Sequence, residues 1–359
     1  MPSDELAAAG GCNEEQAPWH SEAMTPALRH TLAAVLVVAG AAVPASVSTA
    51  AQARPAGLGV TGWVLSGDSP SVVRSNAAGL TMLSVDGVTL QPDGRTITNP
   101  DRANAEELAR TGRAAGLHVE LLLSNYSNRL GDFDRAAAHR LLSSPENRRR
   151  VARQLARAVR HGHFDGVNVD LELVRRRDAA GLVALVRTLQ ARMPRARTVS
   201  IDVSAQTSAA AYRRHGYLLG ALGRAANVID LMTYDDHGPG WSGPGPIGPL
   251  AWQRSAMTTL LEQVPRRKAR LGFGGYGYTW PAHGTGHDVT DAEARRLVAA
   301  DGAQAVWNST AGEWTARLSD GTVLWWADAR SYALRLQLAR ELGVGGLAVW
   351  RLGSVDRLT

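Results

Sequence analysis

Residues 164–174 read "FDGVNVDLELV". Asn168, Asp170 and Glu172 stand at even positions, and Val167, Val169 and Leu171 stand between them at odd positions. Side chains alternate across a strand, so one side of this strand is dry and the other is acidic. If the valines and the leucine face helices on the outside, then Asn168, Asp170 and Glu172 face the axis of a closed barrel. Glu172 comes last and is expected at the C-terminal mouth, where barrels of parallel strands carry their chemistry. Two carboxylates stacked at this spacing cannot both ionise cheaply, so one of them takes up its proton more readily. A carboxyl that stays protonated near neutral pH is a proton donor. A solvated strand edge is the plain alternative for "DLE", but four polar groups from Asp165 to Glu172 alternate with apolar partners. A calcium loop fails because the intervening residues are β-branched or leucine and no glycine sits where such a loop turns.

The rest of the chain repeats a strand–helix rhythm. Strands are expected at 58–64, 78–90, 118–125, 198–205, 227–235, 269–278 and 345–350, in addition to the quoted stretch. Helices are expected at 101–115, 143–162, 179–193, 251–264 and 328–343. Helix 143–162 is the most legible: a Ser-Pro start, a Gly162 stop, and apolar residues at Val151, Leu155, Ala158 and Val159. Eight strands in this sequential order predict an α/β fold, a (β/α)8 TIM barrel. Residues 281–327 break the rhythm with one helical run (291–300), short strand-like runs and the turn "SDGT". They predict a small α+β insertion between strands seven and eight.

The first 53 residues differ from the remainder. "LAAVLVVAGAAV" (32–43) follows Arg29 and His30, and "AQA" ends at Ala53. That is the build of a secretory signal peptide, with an apolar core too short to span a bilayer comfortably. Met24 opens a well-formed signal start, whereas residues 1–23 carry acids that suit no positive n-region, so Met24 is a candidate true initiator. The leader is read as cleaved, with a retained N-terminal anchor as the alternative. The domain expected at 54–359 would then be secreted, extracellular or bound to a cell wall. The sole cysteine, Cys12, lies in the leader, which leaves residues 54–359 without disulfide or thiol chemistry. The leader holds one of the 39 bases and five of the 33 acids, so residues 54–359 carry 38 and 28, a net charge of about +10. All the bases but Lys268 are arginine. That excess reflects either an arginine-rich composition or attraction to an anionic wall. Nucleic acid is not an expected partner of an exported chain with few clustered aromatics. The scattered histidines offer no third ligand near His161 and His163, so no metal and no cofactor are expected. The barrel is expected to act as a monomer.

"DGVNVDLE" (165–172) resembles the signature of the family 18 glycoside hydrolases, the chitinase-like enzymes, whose pattern is Asp-Gly-x-(Asp/Asn)-x-Asp-x-Glu on the fourth barrel strand. "LMTYDDHG" (231–238) resembles the family's sixth-strand motif, and "GGLAVWRLG" (345–353) resembles its last-strand tryptophan segment. "LGFGGYGYTW" (271–280) and the loop "WSGPGPIGPL" are similar to the branch of spore-cortex and cell-wall glucosaminidases. The likeness covers roughly residues 58–356. It implies a glycosidase acting on polymers that contain N-acetylglucosamine, chitin or peptidoglycan. It also implies a substrate-assisted mechanism rather than the two-carboxylate scheme. Glu172 would be the acid and base, Asp170 would hold the acetamido N–H, Tyr234 would orient its carbonyl, and Trp350 would floor the reacting subsite. The family tolerates Asn168 in place of aspartate. A neutral amide there cannot share a proton with Asp170, so Asp170 is expected to stay ionised.

Further substrate contacts are weaker readings. Asp235, beside Tyr234, is a candidate sugar ligand. Asn125 either touches a sugar or caps the turn after the third strand. Tyr276 and Tyr278 end the seventh strand, and at least one of them packs in the core. Trp63 either lines the pocket or fills the barrel floor. Asp165 points to the opposite face from the other acids and, with Gly166, is given a structural role. Arg175, Arg176 and Arg177 are either a solvated helix start or a contact for phosphate or wall polymer. Two non-catalytic readings compete with the enzyme. One is a lectin-like barrel, which typically lacks the glutamate. The other is a wall-anchored scaffold using the basic surface.

Overall fold

The structure is a computed structural model that describes residues 57–358. The leader, its signal sequence, Met24 and Cys12 lie outside the described residues.

Eight parallel strands close on themselves: Gly59–Leu65, Met82–Leu90, His118–Ser124, Gly166–Asp170, Thr198–Ser204, Val228–Met232, Ala269–Gly274 and Gly346–Trp350. The first strand pairs with both the last and the second, which seals the barrel. The outer face of the sheet is the large apolar core. Val119, Leu121, Leu123, Val167, Val169, Val199, Ile201, Ile229, Leu231, Leu271 and Leu347 are all buried there. The alternate residues face inward, and many are polar: Ser84, Asp86, Glu120, Asn168, Asp170, Ser200, Asp202 and Asp230. The fold therefore has a dry layer between sheet and helices and a hydrogen-bonded polar column along the axis. Gly166 is required by close approach, because a Cβ there would come 2.3 Å from Thr198 Oγ1 and 2.5 Å from its carbonyl oxygen.

The helices start where their caps dictate. In α4 (Pro145–His161), Ser144 accepts from the Asn147 N–H and Pro145 occupies the first turn. The strand-to-helix gap expected after residue 125 instead contains a further helix, α3 (Arg135–Ser143), capped by Asp134, which accepts from the Ala137 N–H. Ser144 and Pro145 separate the two helices. A proline at the start of α4 has no N–H to continue the α3 ladder, so one apolar stretch becomes two helices.

The insertion is a five-stranded antiparallel sheet backed by α9 (Asp291–Asp301). Its strands run, in spatial order, Asp288–Val289, Gly277–Trp280, Val323–Trp326, Glu313–Arg317 and Val306–Asn308. Val289, Ala294, Val298, Ala316, Leu324 and Trp326 form its own small core. The run 269–278, read from the sequence as one strand, is two. The barrel strand ends at Gly274, and Gly277–Trp280 belongs to the insertion sheet, where it pairs with Val323–Trp326. Tyr276 and Tyr278 therefore do not end the seventh strand, and the insertion starts earlier than residue 281.

One buried ion pair joins insertion to barrel. Arg335, on α10 (Ala329–Leu342), is fully buried and donates to Glu313 Oε1 at 2.9 Å, the Gly248 carbonyl at 2.6 Å and Gln253 Oε1 at 3.1 Å. Glu313 in turn accepts from the Ile247 and Gly248 N–H groups at 2.7 and 2.9 Å. This fastens the loop after the sixth strand to the insertion. Arg335→Met leaves Glu313 charged and buried, and is expected to cost about 3–5 kcal/mol in urea unfolding. Adding Glu313→Gln is expected to recover part of that loss. A recovery of zero would mean that the two side chains do not act as a pair.

Candidate active site

The polar column builds upward from Asn168. Its Oδ1 accepts from Trp63 Nε1 at 2.9 Å and Ser84 Oγ at 3.0 Å. Its Nδ2 donates to Ser200 Oγ at 3.0 Å and Asp202 Oδ1 at 2.8 Å. Asn168 is 1% exposed, and every donor and acceptor it owns is used. The substrate-binding role expected of it is therefore corrected: it is a structural hub tying barrel strands one, two, four and five. Trp63, also 1% exposed and bonded to Asn168, fills the floor and has no face left for a sugar.

Asp170 stands one layer higher. It is buried, and its Oδ1 has no hydrogen-bond partner. Burial, and then the charge of Asp86, push its carboxyl up to about 7, against a hydrogen bond from Ser124 that lowers it. Asp170 thus holds its proton more readily than expected: the Asn168 amide is spent on Ser200 and Asp202, and burial and Asp86 outweigh the one hydrogen bond from Ser124.

Glu172 lies just past the strand and is half-buried. Its carboxyl bonds to nothing among the described residues. Its backbone is pinned on both sides by Asn125, whose Oδ1 accepts from the Glu172 N–H at 2.8 Å and whose Nδ2 donates to the Glu172 carbonyl at 3.1 Å. Asn125 is wholly buried and also donates to the Asp134 carbonyl at 3.3 Å. It positions Glu172 and is not a sugar ligand, which corrects that expectation. Burial first, and then the charges of Asp170, Asp235 and Asp132, hold the Glu172 carboxyl well above the usual carboxylate range. The residue that follows, Leu173, has φ 55°, a left-handed turn that directs the chain away after the glutamate.

Tyr234 and Asp235 close the site from the sixth strand. Burial and four surrounding acids, Asp202, Asp235, Glu172 and Asp170, keep the Tyr234 hydroxyl protonated, far above its ordinary value. Asp235 has φ 64°, and its Oδ1 accepts from the Tyr276 hydroxyl at 2.5 Å and the Tyr278 hydroxyl at 2.8 Å, while its Oδ2 is buried and unpartnered. Tyr276 is thus committed to holding Asp235, and its hydroxyl is not free to bind substrate as expected. Its ring meets that of Tyr234 edge-on, centroids 6.4 Å apart. Trp350 ends the last strand half-exposed, tilted over Trp63 at 6.2 Å. Asp165 Oδ2 accepts from the Val119 N–H at 3.0 Å, and a Cβ at Gly166 would strike Thr198.

Four acids of the column escaped the sequence reading, Glu120 and Asp230 below Asn168 and two more, Asp86 and Asp202. Asp86 on the second strand and Asp202 on the fifth both face the column, and burial pushes both upward, Asp86 to about 7. Each lies in an alternating strand, "SVDGV" and "SIDVS", and that alternation is the signal that would have found them.

The family model of the glycosyl hydrolases family 18 matches residues 71–354. The chain belongs to that family. This family 18 enzyme is a glycosidase. It is 24% identical over 250 residues to the uncharacterized glycosylase YvbX of Bacillus subtilis (strain 168), covering 65% of this chain and 70% of that protein. It is 25% identical over 292 residues to the cortical fragment-lytic enzyme of the same organism, covering 76% of this chain and 65% of the enzyme. The chain thus spans somewhat under two thirds of that enzyme's length. Its fold matches the crystal structure of a chitinase from Chromobacterium violaceum ATCC 12472 with TM-score 0.75 at 24% identity, covering 83% of this chain and 95% of that one.

Five buried carboxyls are displaced to between about 6 and about 7: Asp86, Glu120, Asp170, Asp230 and Asp235, in each case chiefly by burial. A raised folded-state value means that the folded chain binds more protons than the unfolded one between about pH 4 and pH 7. Stability therefore falls as pH rises through that window. Calorimetry is expected to give a higher Tm at pH 5 than at pH 8, and a flat or rising profile would contradict the burial of these acids. The Asp170 charge raises the Glu172 value, so Asp170→Asn is expected to lower it. Carbon NMR of labelled glutamate carboxyls checks this, and an unmoved midpoint would leave burial as the only cause.

Proposed function

We propose that this glycosidase cleaves β-linked N-acetylglucosamine polymers of a cell wall, with the substrate's own acetamido group as nucleophile. The observation that carries the reading is the pattern of satisfaction in the column. Asn168 at its hub is fully bonded, whereas Asp170 Oδ1 and the Glu172 carboxyl above it are not. An unsatisfied buried acceptor is costly unless a ligand supplies its donor, and an acetamido N–H is such a donor. Glu172, held protonated, gives its proton to the glycosidic oxygen, and the leaving sugar departs as an alcohol. The acetamido carbonyl oxygen bonds to the anomeric carbon, forming an oxazolinium ion whose N–H is accepted by Asp170. Tyr234, kept neutral, donates its O–H to the acetamido oxygen and holds it in line. Water then attacks the anomeric carbon and gives a proton to the Glu172 carboxylate, which restores the acid with retained configuration. Trp350 presents an apolar ring beneath the reacting sugar.

The wall polymer is favoured over chitin by the likeness to a protein named for cortical fragment lysis. The N-terminal leader supports export, so the enzyme meets its polymer outside the cell. Among the described residues no helix is long and apolar enough to cross a membrane.

Purified enzyme incubated with peptidoglycan and with chitin oligomers is expected to release fragments with N-acetylglucosamine at the reducing end, identified by mass spectrometry. Glu172→Gln is expected to lower turnover by about 10³-fold with Tm unchanged or raised. De-N-acetylated polymer is expected to resist cleavage. Equal turnover of acetylated and deacetylated sugars would refute the internal nucleophile and leave the glycosidase assignment standing.

A further inference from the structure

Two depressions outside the catalytic mouth are lined by arginine. One, between α4 and α5 (Ala179–Arg192), includes Arg148, whose guanidinium already donates to the Leu142 carbonyl. The other, of ≈ 450 Å³, is formed by Arg135, Arg175, Arg176, Arg177 and Arg214. Its residues come from three consecutive strand-to-helix connections. Arg135 opens α3 after the third strand, Arg175 to Arg177 follow the fourth, and Arg214 ends α6 (Ala209–Arg214) after the fifth. All three connections leave the barrel at the rim where Glu172 emerges. No more than about 11 Å of chain separates the Cα atoms of Glu172 and Arg175.

The depression is built, not incidental to a loose loop. Asp178 Oδ2 accepts from the Arg175 N–H at 3.2 Å, and Asp178 Oδ1 bonds His139 Nδ1 at 2.5 Å, which ties the arginine loop to α3. On the other side Gly216, at φ 81°, lies so close that a Cβ would come 2.8 Å from the Arg175 carbonyl oxygen. None of the five guanidiniums forms an ion pair among the described residues, although eight other arginines do. Arginine stays charged at every relevant pH and offers a planar fork of donors matched to carboxylate and phosphate. Five such forks, none of them ion-paired among the described residues, would each add attraction for an anion seated among them.

We propose that this rim site binds oxyanions carried by the glycan, carboxylates of attached peptides or phosphates of attached polymer, next to the bond being cleaved. The proposal rests on the wall-polymer reading above, because a neutral N-acetylglucosamine homopolymer offers these arginines no partner charge. It gives the enzyme a physical means of preferring a substituted, anionic glycan over chitin.

The test measures binding apart from turnover. Full-length Glu172→Gln protein is sedimented with insoluble peptidoglycan at graded salt, with and without Arg176→Ala/Arg177→Ala/Arg214→Ala. The triple substitution is expected to weaken binding about tenfold and flatten its salt dependence. The corresponding lysine variants, which keep the charge, are expected to retain part of the affinity and show that folding is intact. In otherwise active enzyme, the triple substitution is expected to leave chitin-oligomer turnover unchanged. Wall stripped of peptides by an amidase and wall stripped of phosphate polymers by hydrofluoric acid identify the source: the treatment that erases the arginine dependence names the anion. Binding of untreated wall that ignores the arginines overturns the proposal, as does an equal loss on neutral chitin oligomers. Absence of all hydrolysis by the wild type, with arginine-dependent binding intact, would instead count against the cleavage reading.

Discussion

The structure depends on a chain of hydrogen bonds through the middle of a barrel. Polar side chains on the inner face of a closed sheet are out of reach of bulk water, and each must find a partner or cost about 1–3 kcal/mol. Asn168 meets that demand for four strands at once, through Trp63, Ser84, Ser200 and Asp202. Below it, Glu120 accepts from Ser200 and Thr198, and Asp230 accepts from Thr61 at 3.4 Å beside Arg270. An aspartate at position 168 would add another like charge to a crowded column. The amide supplies two donors instead, so the hub of the column is satisfied, while Asp230 Oδ2 below it and Asp170 Oδ1 above it keep no hydrogen-bond partner.

The same logic explains why the insertion matters to the site. Asp235 projects from a left-handed backbone position and is held by two tyrosines that belong to the insertion side of the chain, Tyr276 and Tyr278. The strand carrying Tyr278 is zipped to Val323–Trp326, and the next strand carries Glu313 into its pairing with Arg335. Rigid support for an acid at the mouth is thus routed through an appended sheet and not through the barrel alone. A site held by packed elements keeps its geometry better than one held by a loop.

Much of this was legible in the sequence. The period-two alternation around 167–171 placed the acids on the axis, and the strand–helix rhythm placed eight strands in order, because both depend on local periodicity. Helix α3 was missed although Gly131 and the cap Asp134 precede it, because its nine residues run straight into the Ser-Pro step that opens α4. The roles of Asn125, Trp63 and Tyr276 were misjudged for a different reason. Each is a polar or aromatic group near the mouth, as expected, but its partners lie 47, 105 and 41 positions away in the chain. Sequence spacing shows where a side chain points and not whether a distant group already occupies it. Asp86 and Asp202 were hidden behind the more crowded fourth strand, although their strands alternate in the same way.

The distribution of charge follows from these constraints. Acids fill the axis, where burial and mutual repulsion keep several of them protonated, and arginines fill the adjoining rim, where solvent screens them from one another. Exchanging the two would fail. Arginine cannot shed its proton, and the one that faces the column, Arg270, stands at its floor against Thr61 and Asp230, whereas a carboxyl higher up can neutralise itself. A protonated carboxyl at Glu172 is at once the form that burial favours and the form that acid catalysis requires. In the mechanism proposed above, that same interior would supply the proton for the glycosidic oxygen. The deprotonated glutamate left behind would be the unfavourable form, and an oxazolinium ion beside Asp170 would balance its charge until water arrives.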